Sequence, residues 1–124
     1  MIIAVVEDDP HIGELIRGEI CDEGNDFQGF TTAETFLEEV NILKPDLVYL
    51  DLMLPGIDGL ECLHWLRQML SMLRCPVVVV TALNESAKRH ELQQLGALYY
   101  ILKPDLFGQL PQLLTSLTEE SLET

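Results

Sequence analysis

Four short runs, IIAVV (2–6), LVYL (47–50), VVVV (77–80) and LYYIL (98–102), are apolar at nearly every position. A strand buried on one face alternates apolar and polar residues, and an amphipathic helix repeats its apolar positions every three or four. Unbroken runs this short, rich in Val, Ile, Leu and Tyr, are strands covered on both faces. A fifth run, DFQGF (26–30), carries an acid, an amide and a glycine, which suits the edge of a sheet.

Helical patterns separate the strands. The first covers roughly 10–23, with Pro10 in the first turn. The second covers 32–43 after the box TTAE, with Thr31 as cap and Glu34 at the third helical position. The third covers 59–73, and the fourth covers 85–95, closed by Gly96. The last ends near 118, and Gly108 and Pro111 predict a late start or a bend near Pro111, with Asp105 capping whichever turn comes first. Strands alternating with helices give an α/β fold, a doubly wound (βα)5 domain with a parallel sheet and helices on both faces. Ligands in such sheets sit beyond the carboxyl ends of the strands.

At 124 residues the chain is one domain, large enough for a core of its own. Residues 1–118 form that domain, and TEESLET after Leu117 is polar, so 119–124 reads as a frayed tail or the start of a linker. No apolar run nears the roughly 18 residues of a membrane span, and the start MIIAVV has no basic flank, so a cytoplasmic protein is expected. Twenty-one acids against seven bases give a net charge of −14, which repels nucleic acid and anionic membranes. Cys21, Cys62 and Cys75 are odd in number and widely spaced, so buried or half-buried free thiols are expected.

The strand ends collect chemistry. The first ends in Glu7, Asp8 and Asp9, the third in Asp51 before a Pro55-Gly56 turn, the fourth in Thr81 and the fifth in Lys103. Carboxylates forced together repel, which raises their pKa values or demands a cation, and a hard oxygen cluster beside water suits Mg²⁺. The plainer alternative for the EDD run is an acidic cap on the helix beginning at Pro10. A carboxylate nucleophile, a metal cluster, a hydroxyl and an ammonium are together the parts of a phosphoryl-accepting site.

In order and spacing, VVEDD, LDLMLPGIDG, VVVVTA and LKP resemble the receiver domain of two-component response regulators over about residues 1–118. The resemblance implies a flavodoxin-like sheet of order 2-1-3-4-5, the order that receiver proteins exemplify among doubly wound sheets. It implies Asp51 as phosphoacceptor, Asp8 and Asp51 as Mg²⁺ ligands with Glu7 in support, and Met53 as a ligand through its backbone carbonyl. It implies that Thr81 and Lys103 contact the phosphoryl group, that Tyr100 is an aromatic switch answering Thr81, and that Met53 and Leu83 tune hydrolysis. The partners it implies are a sensor histidine kinase or phosphotransfer protein and an output domain or downstream protein.

Two stretches depart from that pattern. Leu98 and Tyr99 are apolar where many relatives carry charges on the output face of helix 4, strand 5 and helix 5, which leaves open both core packing and an interface such as a homodimer. Position 53 is Met, where phosphate-ester hydrolases with an aspartyl intermediate carry a second acid, so an enzyme of that kind is disfavoured. The remaining rival, a receiver-like module that works without phosphate, usually lacks a site residue, and none is missing here. His11, His64 and His90 are expected on the surface, Trp65, Met69 and Met72 in the core, and Arg17, Arg67, Arg74, Lys88 and Arg89 as solvated charges.

Overall fold

The computed structural model describes residues 1–82, 86–103, 108–109 and 111–112, with the backbone alone at 86–88. Five parallel strands, β1 (Ile2–Val6), β2 (Asp26–Phe30), β3 (Leu47–Asp51), β4 (Val77–Thr81) and β5 (Ala97–Leu102), lie in the order β2-β1-β3-β4-β5. The helices are α1 (Pro10–Asp22), α2 (Ala33–Leu43), α3 (Gly59–Leu66) and α4 (Ser86–Gln94), with a 3-10 turn at Leu70–Met72.

Alternation within the strands divides the core in two. Ala4, Val6, Val48, Leu50, Val77 and Val79 face α2, α3 and α4 through Phe36, Val40, Leu63, Leu66 and Leu92. Their neighbours Ile3, Val5, Leu47, Tyr49, Val78 and Val80 face α1 through Ile16 and Ile20. Every residue of β3 and β4 is therefore buried, which is why those runs show no polar alternation. The edge strands β2 and β5 are partly exposed.

Several local expectations are corrected. Thr32, not Thr31, caps α2: its hydroxyl accepts from the Thr35 amide at 3.2 Å, and Glu34 turns away to another loop. The third helix stops at Leu66, and a 3-10 turn completes the stretch. Trp65 is half exposed while Met72 is buried, and Cys21 is exposed. Arg67 is no solvated charge, because its guanidinium donates to the carbonyls of Leu95, Met72, Cys75 and Gly96. The three histidines do lie on the surface. The register of β4 against β5 slips between Val77 and Val78, which leaves Leu98 as the extra residue of a bulge on the edge strand. Apart from helical positions 108, 109, 111 and 112, the chain after Lys103 lies outside the described residues, and with it Asp105, the tail and the expected bend near Pro111.

Candidate functional site

The carboxyl ends of β1, β3 and β4 and the residue following β5 meet at one edge of the sheet. Parallel pairing dictates this: Asp51 lies opposite Val80, and Thr81 lies opposite Leu102, one residue before Lys103. Asp51 is wholly buried, and Glu7 and Thr81 nearly so. Glu7, Asp8 and Asp51 each bring a carboxylate oxygen within 4.8 Å of the others. The Lys103 ammonium stands 3.0 Å from Asp51 Oδ2 and 3.2 Å from Glu7 Oε1.

Burial dominates the electrostatics. Removed from water, the Glu7 carboxyl is pushed up to about 8, with the adjacent Asp51 adding to the rise and Lys103 opposing it. Burial pulls the Lys103 ammonium down, but contact with Asp51 and then Glu7 more than reverses this, so its pKa is raised. Burial likewise raises the Tyr49 phenol beneath the site, with Glu7 and Asp51 contributing.

One ammonium does not satisfy the cluster. Glu7 Oε2 is buried with no hydrogen-bond partner among the described residues. Asp51 Oδ2 has the ammonium as a close ion pair but no hydrogen bond of good geometry there. Orphaned buried carboxylate oxygens are costly, and a hard divalent cation with its waters is the group that would complete them. The donor set, all oxygen and partly open to solvent through the exposed Asp8, fits Mg²⁺.

The acids of the EDD run divide their labour. Asp9 turns back to cap α1, accepting from the His11 and Ile12 amides at 2.9 and 3.3 Å, and Pro10 occupies the first helical position. The capping interpretation holds for Asp9 alone, and Glu7 and Asp8 join Asp51.

Two supports escaped sequence reasoning. Gly59 opens α3 directly against the end of β3: a Cβ there would stand 2.6 Å from Leu52 Cα and closer still to the Asp51 carbonyl. The Gly59 amide donates to the Leu52 carbonyl at 3.1 Å, so this contact seats the loop that bears the acid. Glu34 accepts from the Ile57 amide at 3.1 Å and pins the turn containing Gly56, whose φ of +72° requires glycine. Proximity of Gly to Asp-Leu was visible in the sequence, but the three-dimensional approach was not. The Met53 amide donates to Asp51 Oδ1 at 2.9 Å and orients the carboxylate, while the Met53 side chain is half exposed. Tyr100 packs at the margin of the core beneath the Arg89 guanidinium, 5.0 Å from its ring centroid. Leu83 lies outside the described residues.

Residues 3–115 match the response regulator receiver domain family. The chain is 32% identical over 126 residues to the phosphate regulon transcriptional regulatory protein PhoB of Rhizobium meliloti, covering 98% of this chain and 56% of that protein. It is 35% identical over 102 residues to the alkaline phosphatase synthesis transcriptional regulatory protein PhoP of Bacillus subtilis, covering 82% of this chain and 42% of that protein. The BeF3-activated N-terminal receiver domain of Klebsiella pneumoniae RstA superposes with a TM-score of 0.76 at 32% identity, covering 89% of this chain and 95% of that one. A Francisella receiver domain, at 24% identity and a TM-score of 0.85 over 97% of this chain and 98% of its own, shares the fold. The chain belongs to the response regulator receiver family, and it spans about half the length of the relatives it matches.

Proposed function

We propose that Asp51 accepts a phosphoryl group from the phosphohistidine of a sensor kinase or phosphotransfer protein. The observation that carries this is a fully buried carboxylate at a strand end, 3.0 Å from an ammonium and within 4.8 Å of two further acids. An Asp51 carboxylate oxygen forms the new O–P bond as the donor's P–N bond breaks. Lys103 then pairs with a phosphoryl oxygen, and the Thr81 hydroxyl binds another. Glu7, Asp8, Asp51 and the Met53 carbonyl would hold Mg²⁺, whose charge neutralises the phosphoryl oxygens.

Because Met53 stands where ester hydrolases have a second acid, turnover of external phosphate esters is not part of this function. Movement of Thr81 toward the new charge would leave space for Tyr100 and bias the face formed by helix 4, strand 5 and helix 5. Leu98 and Tyr99, exposed on the edge strand, supply that face with apolar contacts for an output partner or a homodimer. The setting is the cytoplasm, where such kinases act, and no helix among the described residues is long and apolar enough to cross a membrane. Acetyl phosphate with Mg²⁺ should add one phosphoryl group by mass spectrometry, and Asp51→Asn should abolish it. Modification that survives in Asp51→Asn would place the nucleophile elsewhere.

A further inference from the structure

Tyr100 lies between two environments. It stands opposite Val79 of β4, and alternation puts it with Val77, Val79 and Leu92 on the face of the sheet that α4 covers. Thr81 lies two residues beyond Val79, so it shares that face about 7 Å further along the strand. In that direction water is excluded, since Val79, Thr81 and Leu92 are each 1% exposed or less.

Outward, the ring meets α4. The Arg89 guanidinium carbon lies over it, 5.0 Å from the ring centroid, which is the range of a cation–π contact. The neighbouring titratable side chains of α4 turn elsewhere: Glu91 meets His64 of α3 at 3.3 Å, and His90 meets Gln94 of its own helix at 3.2 Å. The cleft that Arg89 and Tyr100 share is completed by Leu92, Gln93, Ala97, Leu98 and Tyr99. No acid lines it, so among the described residues no carboxylate in the cleft draws the guanidinium off the ring. Arg89 itself is exposed, while Tyr100 is half-buried.

We propose that Arg89 is a latch on Tyr100: its guanidinium holds the ring outward and so sets how readily the chain switches when Asp51 gains a phosphoryl group. This rests on Asp51 accepting that group and on Tyr100 answering Thr81. The two ring positions compete. A ring that turns toward Thr81 enters a region closed to water, and a guanidinium that followed it would lose its hydration without gaining a carboxylate. Arg89 therefore stabilises the outward position alone, and a contact made in only one of two states biases the equilibrium toward that state. Arg89 acts through Tyr100, so it is a positioning residue.

The probe is beryllofluoride at saturating Mg²⁺, standing in for the phosphoryl group on Asp51. The readout is the ring-proton NMR signals of Tyr100, one of three tyrosines in the chain. In unliganded Arg89→Gln these signals should move toward their beryllofluoride-bound positions, and beryllofluoride should bind about two- to fivefold tighter than to wild type. Arg89→Lys keeps a cation at the ring and should stay closer to wild type. The direction separates the latch from the general field, because removing a cation from a chain of net charge −14 would by itself weaken binding of an anionic mimic. Arg89 is exposed, so its replacement leaves the fold intact. In a Tyr100→Leu background, adding Arg89→Gln should change nothing further, and a tightening that persisted there would overturn the latch. Equal or weaker binding by Arg89→Gln, beside a wild type that responds, would overturn the latch alone. No response in wild type would overturn the role of Asp51 together with it.

Discussion

Glu7 carries the clearest consequence of burial at a single residue. Its carboxyl, ordinarily near 4.5, is pushed up to about 8 by burial first and by Asp51 second. The folded chain therefore keeps a proton that the unfolded chain releases. This contribution to stability is complete below about pH 4.5 and is lost as pH rises toward 8. In EDTA the urea midpoint should fall between pH 5 and 8, and Glu7→Gln should flatten that fall; an unchanged slope in the variant would assign the effect to another group. At Met53 the consequence is kinetic. Its half-exposed thioether cannot orient an attacking water, and the resemblance pairs it with Leu83, so the phosphoryl state should be long-lived. A polar side chain offering one hydrogen bond of about 1 kcal/mol should speed dephosphorylation roughly fivefold in Met53→Asn, with Leu83→Glu adding to it. Identical decay of the phosphorylated band in wild type and both variants would refute a role for these side chains. Glu7, Asp8, Asp51, Thr81 and Lys103 were legible because each ends an apolar run, and parallel pairing aligns such ends. Glu34 and Gly59 were not, since their contacts are made only after α2 and α3 have packed.

At the scale of elements, strands were read within a residue of their ends, because burial on both faces leaves no ambiguity of period. Helix ends were read less well. TTAE offers two adjacent threonines as caps, and only the extended backbone at Thr32 (φ −135°, ψ 153°) aims its hydroxyl at the Thr35 amide. Thr32→Ala should thus cost about 1 kcal/mol in denaturant unfolding, and Thr31→Ala much less. The third helix was read too long because the leucines and methionines of 60–73 keep helical spacing past the true end. Just past its true end stands Arg67, whose guanidinium gathers carbonyls from the 3-10 turn, the loop before β4 and the turn between α4 and β5. Burial lowers the pKa of this group, and it is held by geometry: two bonds at 2.7 Å, one at 2.9 Å and one at 3.2 Å. Arg67→Met keeps the stem but orphans those carbonyls and should cost about 3 kcal/mol at an unchanged m-value. A single ammonium cannot span them all, so Arg67→Lys should recover little. Full recovery by lysine would show that charge alone suffices.

Across the whole molecule, the charge of −14 and the site's own acids act in the same direction. Glu7, Asp8 and Asp51 crowd together with only Lys103 among them, within a field that is already negative, and Asp51 helps to hold the proton on Glu7. A divalent cation that binds this cluster binds only the folded chain, since unfolding disperses residues 7, 8 and 51. Mass action then stabilises the fold by about 1.4 kcal/mol at tenfold excess over Kd. For a domain of this size that is a rise in Tm of roughly 3–8 °C. Monovalent salt also stabilises, by screening the general repulsion, so the comparison is made at matched ionic strength. Asp8→Asn and Asp51→Asn each remove one carboxylate charge from the cluster. Both should melt higher than wild type in EDTA, because less repulsion is built into the fold, and both should gain less from Mg²⁺. The two effects have opposite signs in the same variants, which separates a metal site from a nonspecific response to charge. Equal Mg²⁺ shifts in wild type, Asp8→Asn and Asp51→Asn, measured by differential scanning calorimetry, would mean that the ion acts on the surface at large and that the cluster holds none.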